Sequence, residues 1–314
     1  MRHVVSVSIG SSTRDKRVEA EFCGEKFLVE RIGVDGDLER ARQMIGELDG
    51  KVAAIGLGGI DLYLIVGGRR YVIRDAWRLA QAATRTPVVD GSGLKNTWER
   101  VVVERVTSRG QLHKEQQQRG IGDLKVLVTS AVDRFGMAEA LGTTGCRLMY
   151  GDLIFALGLP APLTRLWQLR VVARLALPVL CRQPFERLYP TGKEQEAPSP
   201  RYRKYYQWAD VIAGDTHFVK RFMPPVDEEV PPLAGKTILS NTTTKEDVEQ
   251  FRRRGVARII TTTPRMDGRS FGTNVMEGVV VALLGKEPRE LSQDDYMSVL
   301  ERLGWEPSIL ELET

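Results

Sequence analysis

Strand-like and helix-like stretches alternate along most of this chain, and that alternation narrows its fold more than any other feature. A strand followed by a helix and then by another strand builds a parallel sheet with crossover connections. In the second half, β-branched and apolar runs at 125–129, 147–150, 211–213, 237–240 and 258–262 are predicted strands, with helices at 137–141, 164–177, 275–284 and 294–303. The first half opens on several strands, at 4–8, 17–22 and 25–32, before its first helix. That helix follows Asp35-Gly36-Asp37, places Leu38, Ala41, Met44, Ile45 and Leu48 on one face, and stops at Asp49-Gly50. Strands at 52–57, 62–66, 71–73 and 87–90 and a helix at 76–83 complete an α/β pattern.

A chain of 314 residues is long for one domain. The polar, Gln- and Arg-rich stretch 108–123 reads as a linker. It divides an N-terminal α/β substrate-type domain, 1–107, from a second α/β domain, 124–314, with a helical insertion and a closing helix. The expected fold class is thus α/β, two domains, the second a Rossmann-like doubly wound parallel sheet. A Pro-rich stretch at 189–200 reads as a surface excursion.

Composition excludes several classes. Basic and acidic residues, 45 and 41, give a net charge of only +4, no footprint for nucleic acid. The three cysteines and three histidines are scattered, so neither a disulfide framework nor a metal site is expected. The most apolar stretch, 153–181, is broken by Arg165, Arg170, Arg174 and three prolines and is not a membrane span. Without a targeting pattern at the start, the expectation is a cytoplasmic protein with a small-molecule substrate, and a homodimer stays open.

The most conspicuous glycines, Gly56-Leu57-Gly58-Gly59-Ile60-Asp61, follow a strand but are not followed by a helix, so they read as a bend or hairpin, with Asp61 toward a cleft. Asp90-Gly91-Ser92-Gly93-Leu94-Lys95-Asn96 ends a buried strand, where open α/β sheets bind ligands. Lys95 can donate a proton or hold an anion, Asp90 can act as a base, and Ser92 and Asn96 can bind hydroxyls; a glycine turn capping a helix explains the segment equally. Ser11 and Ser12, in a run of hydroxyls after the first strand, could hold a polyol, and a polar turn also accounts for them.

The unit 125–152 has the spacing of a βαβ nucleotide-binding motif. Ser130 and Asp133 stand at the first two glycine places, Gly136 at the third, and Asp152 follows Ser130 by 22 residues, where a carboxylate accepts the ribose hydroxyls and favours NAD over NADP. Asp133 opposes a pyrophosphate: at about 4 Å and an effective dielectric near 20, one such pair costs about 4 kcal/mol. Arg134 could offset this. A working dinucleotide site and a fold that kept only the shape are both open. Asn241, Thr242 and Thr262 at later strand ends, with Asn274 at the start of a helix, would line a nicotinamide crevice.

On the stretches Ile32-Gly33-Val34-Asp35-Gly36-Asp37, Ala54 to Leu64, Val89 to Asn96 and Arg269 to Glu277, the chain resembles a bacterial family labelled quinate 5-dehydrogenase, distantly similar to shikimate and quinate dehydrogenases. The resemblance implies a substrate domain with a catalytic Lys and Asp, followed by a Rossmann domain whose strand ends carry Asn-Thr-Thr-Pro-like loops; Thr262-Thr263-Pro264 resembles one. It implies an NAD(P)-dependent oxidoreductase on a cyclic polyol acid such as quinate or shikimate, with Lys95 carried over by position at a domain cleft. The rival expectation is a non-catalytic ligand-binding or regulatory protein with a degenerate Rossmann-like domain.

Overall fold

The computed structural model describes residues 1–184, 202–227, 229–263, 265–266 and 269–312; the Pro-rich stretch 189–200 and Pro264 lie outside them. The chain forms two compact α/β units. The first comprises Met1–Thr97, Leu175–Gly192 and Gly272–Trp305, and the second Trp98–Arg174, Lys193–Phe271 and Glu306–Thr314.

In the first unit β1 (Arg2–Ser8) is central. β2 (Lys16–Phe22) and β3 (Glu25–Gly33) lie on one side, β4 (Ala54–Gly58) and β7 (Val88–Val89) on the other, giving the order β2-β3-β1-β4-β7. Only β2 runs antiparallel. Ser8 is in register with both Gly33 and Gly58, so three parallel strands end at one level and their loops share one carboxyl edge. Between β4 and β7, β5 (Tyr63–Val66) and β6 (Arg69–Val72) form a hairpin, turned by Gly67 and Gly68 at φ 57° and 78°, values only glycine adopts cheaply.

The helix Thr273–Leu284 packs on β1 and β4. It is apolar on nearly every face, as a helix buried on all sides must be. The approach is close: a methyl on Gly278 would lie 2.7 Å from Val4 Cγ1.

The second unit is a six-stranded sheet. Its strands are β8 (Lys125–Val128), β9 (Arg147–Tyr150), β10 (Val211–Gly214), β11 (Thr237–Ser240), β12 (Arg258–Thr261) and, beyond the short hairpin β13 (Arg265–Met266) with β14 (Arg269–Ser270), β15 (Ser308–Glu311). The order is β15-β12-β11-β10-β8-β9, parallel except for β15. The chain leaves β8 toward β9 and returns to β10 on the other side, which makes β8/β10 the switch point of a doubly wound, Rossmann-like sheet. Buried on both faces, its strands are continuous apolar runs such as Val126-Leu127-Val128.

Residues 108–123, expected as a linker, lie inside this unit. Leu112 is fully buried, and the Gln116 side chain accepts from the Leu112 N–H and donates to the Thr107 carbonyl. The polar composition serves the segment's own backbone rather than solvent. Among the described residues no helix is long and apolar enough to cross a membrane, and no cluster of His, Cys, Asp and Glu could hold a metal.

Candidate functional site

At the carboxyl edge of the first sheet, Gly91 takes a left-handed φ of 95° and starts the short helix Ser92–Asn96, which carries Lys95 inward. Lys95 Nζ stands 2.5 Å from Asp61 Oδ1, with side chains only 7% and 15% exposed. The structure therefore joins two of the predicted residues in one ion pair. Asp90, expected as the base, acts instead as a brace. Its carboxylate accepts the N–H groups of Leu62 (2.6 Å), Tyr63 (2.8 Å) and Ser92 (3.0 Å), tying two loops together. Asn96 donates to the Ser92 carbonyl, a bond within the helix, and Ser92 is buried.

Glu277 and Tyr296 hold this segment from below. Glu277 Oε1 accepts from the Gly93 N–H (3.0 Å) and the Tyr296 hydroxyl (2.7 Å), while Oε2 is buried and has no hydrogen-bond partner among the described residues. Burial, reinforced by the nearby charge of Asp90, pushes the Glu277 carboxyl up to about 7. Sequence reasoning missed both residues, although a lone acid in the apolar run Val275 to Leu284 was a usable signal. Ser11 is the cap of the turn Ser12–Arg14, and the Ser12 N–H donates to Asp35, so both serve the turn. Asn274 belongs to this unit rather than to a nicotinamide crevice, and its amide donates to Ser6 Oγ (2.7 Å).

In the second unit, the turn after β8 meets its own acid. The carboxylate of Asp152 accepts from the N–H groups of Ala131 (3.2 Å) and Val132 (2.9 Å). These are turn amides that a pyrophosphate would use. Burial raises the Asp152 carboxyl to about 6 even though these amides favour its charge. Arg134 is 2% exposed and points inward, pairing with Glu99 and with Asp215 (3.0 Å), with Asp133 at 3.7 Å. Burial lowers its pKa, but the three carboxylates outweigh burial and raise it.

The switch point itself is filled. Thr129 Oγ1 donates to the Ala213 carbonyl (3.2 Å), Ser130 Oγ accepts from the Asp215 N–H (3.4 Å), and a methyl on Gly214 would lie 2.3 Å from Thr129 Oγ1. Asn241 Oδ1 accepts from the Thr216 N–H and its Nδ2 donates to Asp215; the Thr242 carbonyl accepts from the Thr216 hydroxyl. Thr262 is buried, its carbonyl taken by Trp98 Nε1 (2.5 Å), and Gly136 is buried in the helix Phe135–Thr143. Ser130, Asp152 and Asn241 do gather around the switch point, but each is spent on the protein's own groups.

A nicotinamide dinucleotide needs free amides at this turn and a backbone that can be approached closely. Side chains stand at Ser130 and Asp133, the amides of Ala131 and Val132 serve Asp152, and the offsetting Arg134 is locked on Glu99 and Asp215. These residues do not fit the group. A cavity of about 370 Å³ lies elsewhere, at the amino ends of β4 and β7, lined by Ala53, Pro87 and residues of 281–290.

Two α/β units, the second a Rossmann-like sheet with an internally occupied turn, define the class of protein. The chain belongs to the family described as Domain of unknown function (DUF8754), which matches residues 93–312; residues 3–90 match Domain of unknown function (DUF8753). No curated protein matches the chain in sequence. Solved structures with some likeness include the NAD-dependent malic enzyme of Thermotoga maritima, at 13% identity over 96% of this chain and 84% of that one, TM-score 0.34. A solute-binding protein of an ABC transporter from Burkholderia multivorans gives 9% over 98% and 99%, TM-score 0.38. The glucose-galactose binding protein GanP of Geobacillus stearothermophilus gives 10% over 99% and 97%, TM-score 0.36. Likenesses at this level carry no argument about function.

Proposed function

We propose that the protein binds a small hydroxy acid at the carboxyl edge of the first sheet, around Lys95 and Asp61, and that its Rossmann-like unit is not a dinucleotide carrier. The observation that carries this reading is the Asp152 carboxylate on the amides of Ala131 and Val132, an anion of the protein's own on the groups a cofactor phosphate would need. Lys95 and Asp61 offer one donor and one acceptor to a hydroxyl, and Asp90, Glu277 and Tyr296 fix the loop that carries Lys95. A second reading, an NAD- or NADP-dependent oxidoreductase on a cyclic polyol acid such as quinate or shikimate, is favoured by the same Lys95–Asp61 pair, which can take and return a hydroxyl proton.

A thermal-shift titration with NAD, NADP and their reduced forms tests the choice, since a ligand at a hundred times its Kd adds about 2.7 kcal/mol of stability. The expected result is no shift at millimolar cofactor. A saturable shift overturns the proposal in favour of the oxidoreductase.

A further inference from the structure

The helix Leu166–Leu180 turns one side inward, where Leu169, Ala173 and Leu177, followed by Cys181, are buried at every fourth place. On most surface helices the outward side is polar. Here Trp167, Val171, Leu175 and Val179 form an apolar column on it, 62%, 48%, 73% and 61% exposed. Isolated exposed apolar side chains are ordinary, but four neighbours along about 18 Å of helix mark a surface that something covers. Beside this column, three or four positions along from its members, stand Arg170 and Arg174, with Arg182 in the turn that follows, all exposed. Arg170 pairs with Glu139, which also holds Arg100, whereas Arg174 and Arg182 make no ion pair among the described residues. No Asp or Glu occurs from 153 to 185. The outward side thus offers hydrocarbon and guanidinium groups and little else.

That charge pattern decides between occupants. A second copy of the chain, laid antiparallel on the first, would match Trp167 with Val179 and Val171 with Leu175, but it would bring arginines against arginines with no acid on the helix to answer them. A specific protein interface carries on the order of ten direct hydrogen bonds, and this side has few groups besides guanidinium that can make one. An anionic lipid surface demands neither a matching shape nor a hydrogen-bond pattern. It takes apolar side chains into the acyl boundary and cations at the level of its phosphates. The arginines and prolines that keep 153–181 from spanning a bilayer suit a helix that lies on one. We propose that the outward side of Leu166–Leu180 is a docking surface for anionic lipid, with Trp167, Val171, Leu175 and Val179 entering the head-group boundary and Arg174 and Arg182 on the phosphates.

Co-sedimentation of the full chain with vesicles tests this surface. Vesicles of phosphatidylglycerol and phosphatidylcholine in equal parts are expected to bind the protein at least about tenfold more tightly than phosphatidylcholine alone, and raised salt should remove most of the difference. Trp167→Ser with Leu175→Ser is expected to weaken binding to the anionic vesicles by about tenfold or more, and Arg174→Gln by about fivefold. All three positions are exposed, so both variants should keep the melting temperature of the parent. The proposal is overturned if the anionic vesicles bind no more protein than phosphatidylcholine alone. It is equally overturned if both variants bind as the parent does, since the contact then lies on another part of the chain. A parent that sediments as a dimer in analytical ultracentrifugation, and becomes a monomer when Trp167 and Leu175 are replaced, also overturns it and assigns this side to a second copy.

Discussion

At the carboxyl edge of the first sheet, two arginines converge over Gly10 and a lysine meets the Asp61 carboxylate, whereas at the same edge of the second sheet three carboxylates surround one guanidinium and a fourth covers the turn amides. Both edges belong to parallel α/β sheets and both gather polar residues at the switch point. They differ in the balance of charge: at the first edge cations and carboxylates mix, with Arg31 on Asp15 and Lys95 on Asp61, whereas at the second the carboxylates outnumber the one guanidinium. An edge becomes structure where the protein's own acids cover the turn amides that a ligand phosphate would need.

The largest expected effect that could break this comparison is in the second unit. Arg134→Leu leaves Glu99 as an uncompensated buried charge and should cost about 3–5 kcal/mol in urea unfolding. A cost below about 1 kcal/mol would mean that the ion cluster does not hold the edge closed.

Next comes Glu277. Its folded pKa of about 7 stands above the ordinary 4.5, so between those values the folded state binds more protons than the unfolded one. The stability it contributes is complete below pH 4.5 and is lost as pH rises through 7. Glu277→Gln should therefore be more stable than the parent by about 3 kcal/mol at pH 8 and show a flatter stability profile from pH 5 to 8. An unchanged profile would show that the carboxyl titrates normally and does not support the Lys95 loop as a neutral acid.

The smallest effect concerns Ser11. Capping the turn Ser12–Arg14, it should cost about 0.5–1 kcal/mol as Ser11→Ala. A loss above about 2 kcal/mol would mean that the first edge, too, is built for stability.

Much of the fold is legible because its strands are buried on both faces and punctuated by turn residues. The strands at 147–150 and 237–240 coincide with those expected from sequence, and the β5/β6 hairpin follows from Gly67-Gly68. β15 is not legible: Ser308–Glu311 becomes a strand only by pairing Ile309 and Leu310 with Ile260 and Ile259, a contact without local signature. At the site, residue types are readable and partners are not. Asp90 looks like a base until its three amides are counted, and Arg134 looks available until Glu99, 35 residues away, is found beside it. Pairings of this kind depend on which loops the sheet order brings together.

The helix Thr273–Leu284 covers a sheet whose last strand ends at Val89. During synthesis, the residues from Trp98 to Phe271 must emerge first, which at ribosomal speeds takes on the order of ten seconds. Until then the apolar face of β1 and β4 is without the helix that packs on it in the finished protein. The first unit is thus begun first but closed only after most of the second has emerged, and a fragment that stops near residue 97 is expected to aggregate rather than fold.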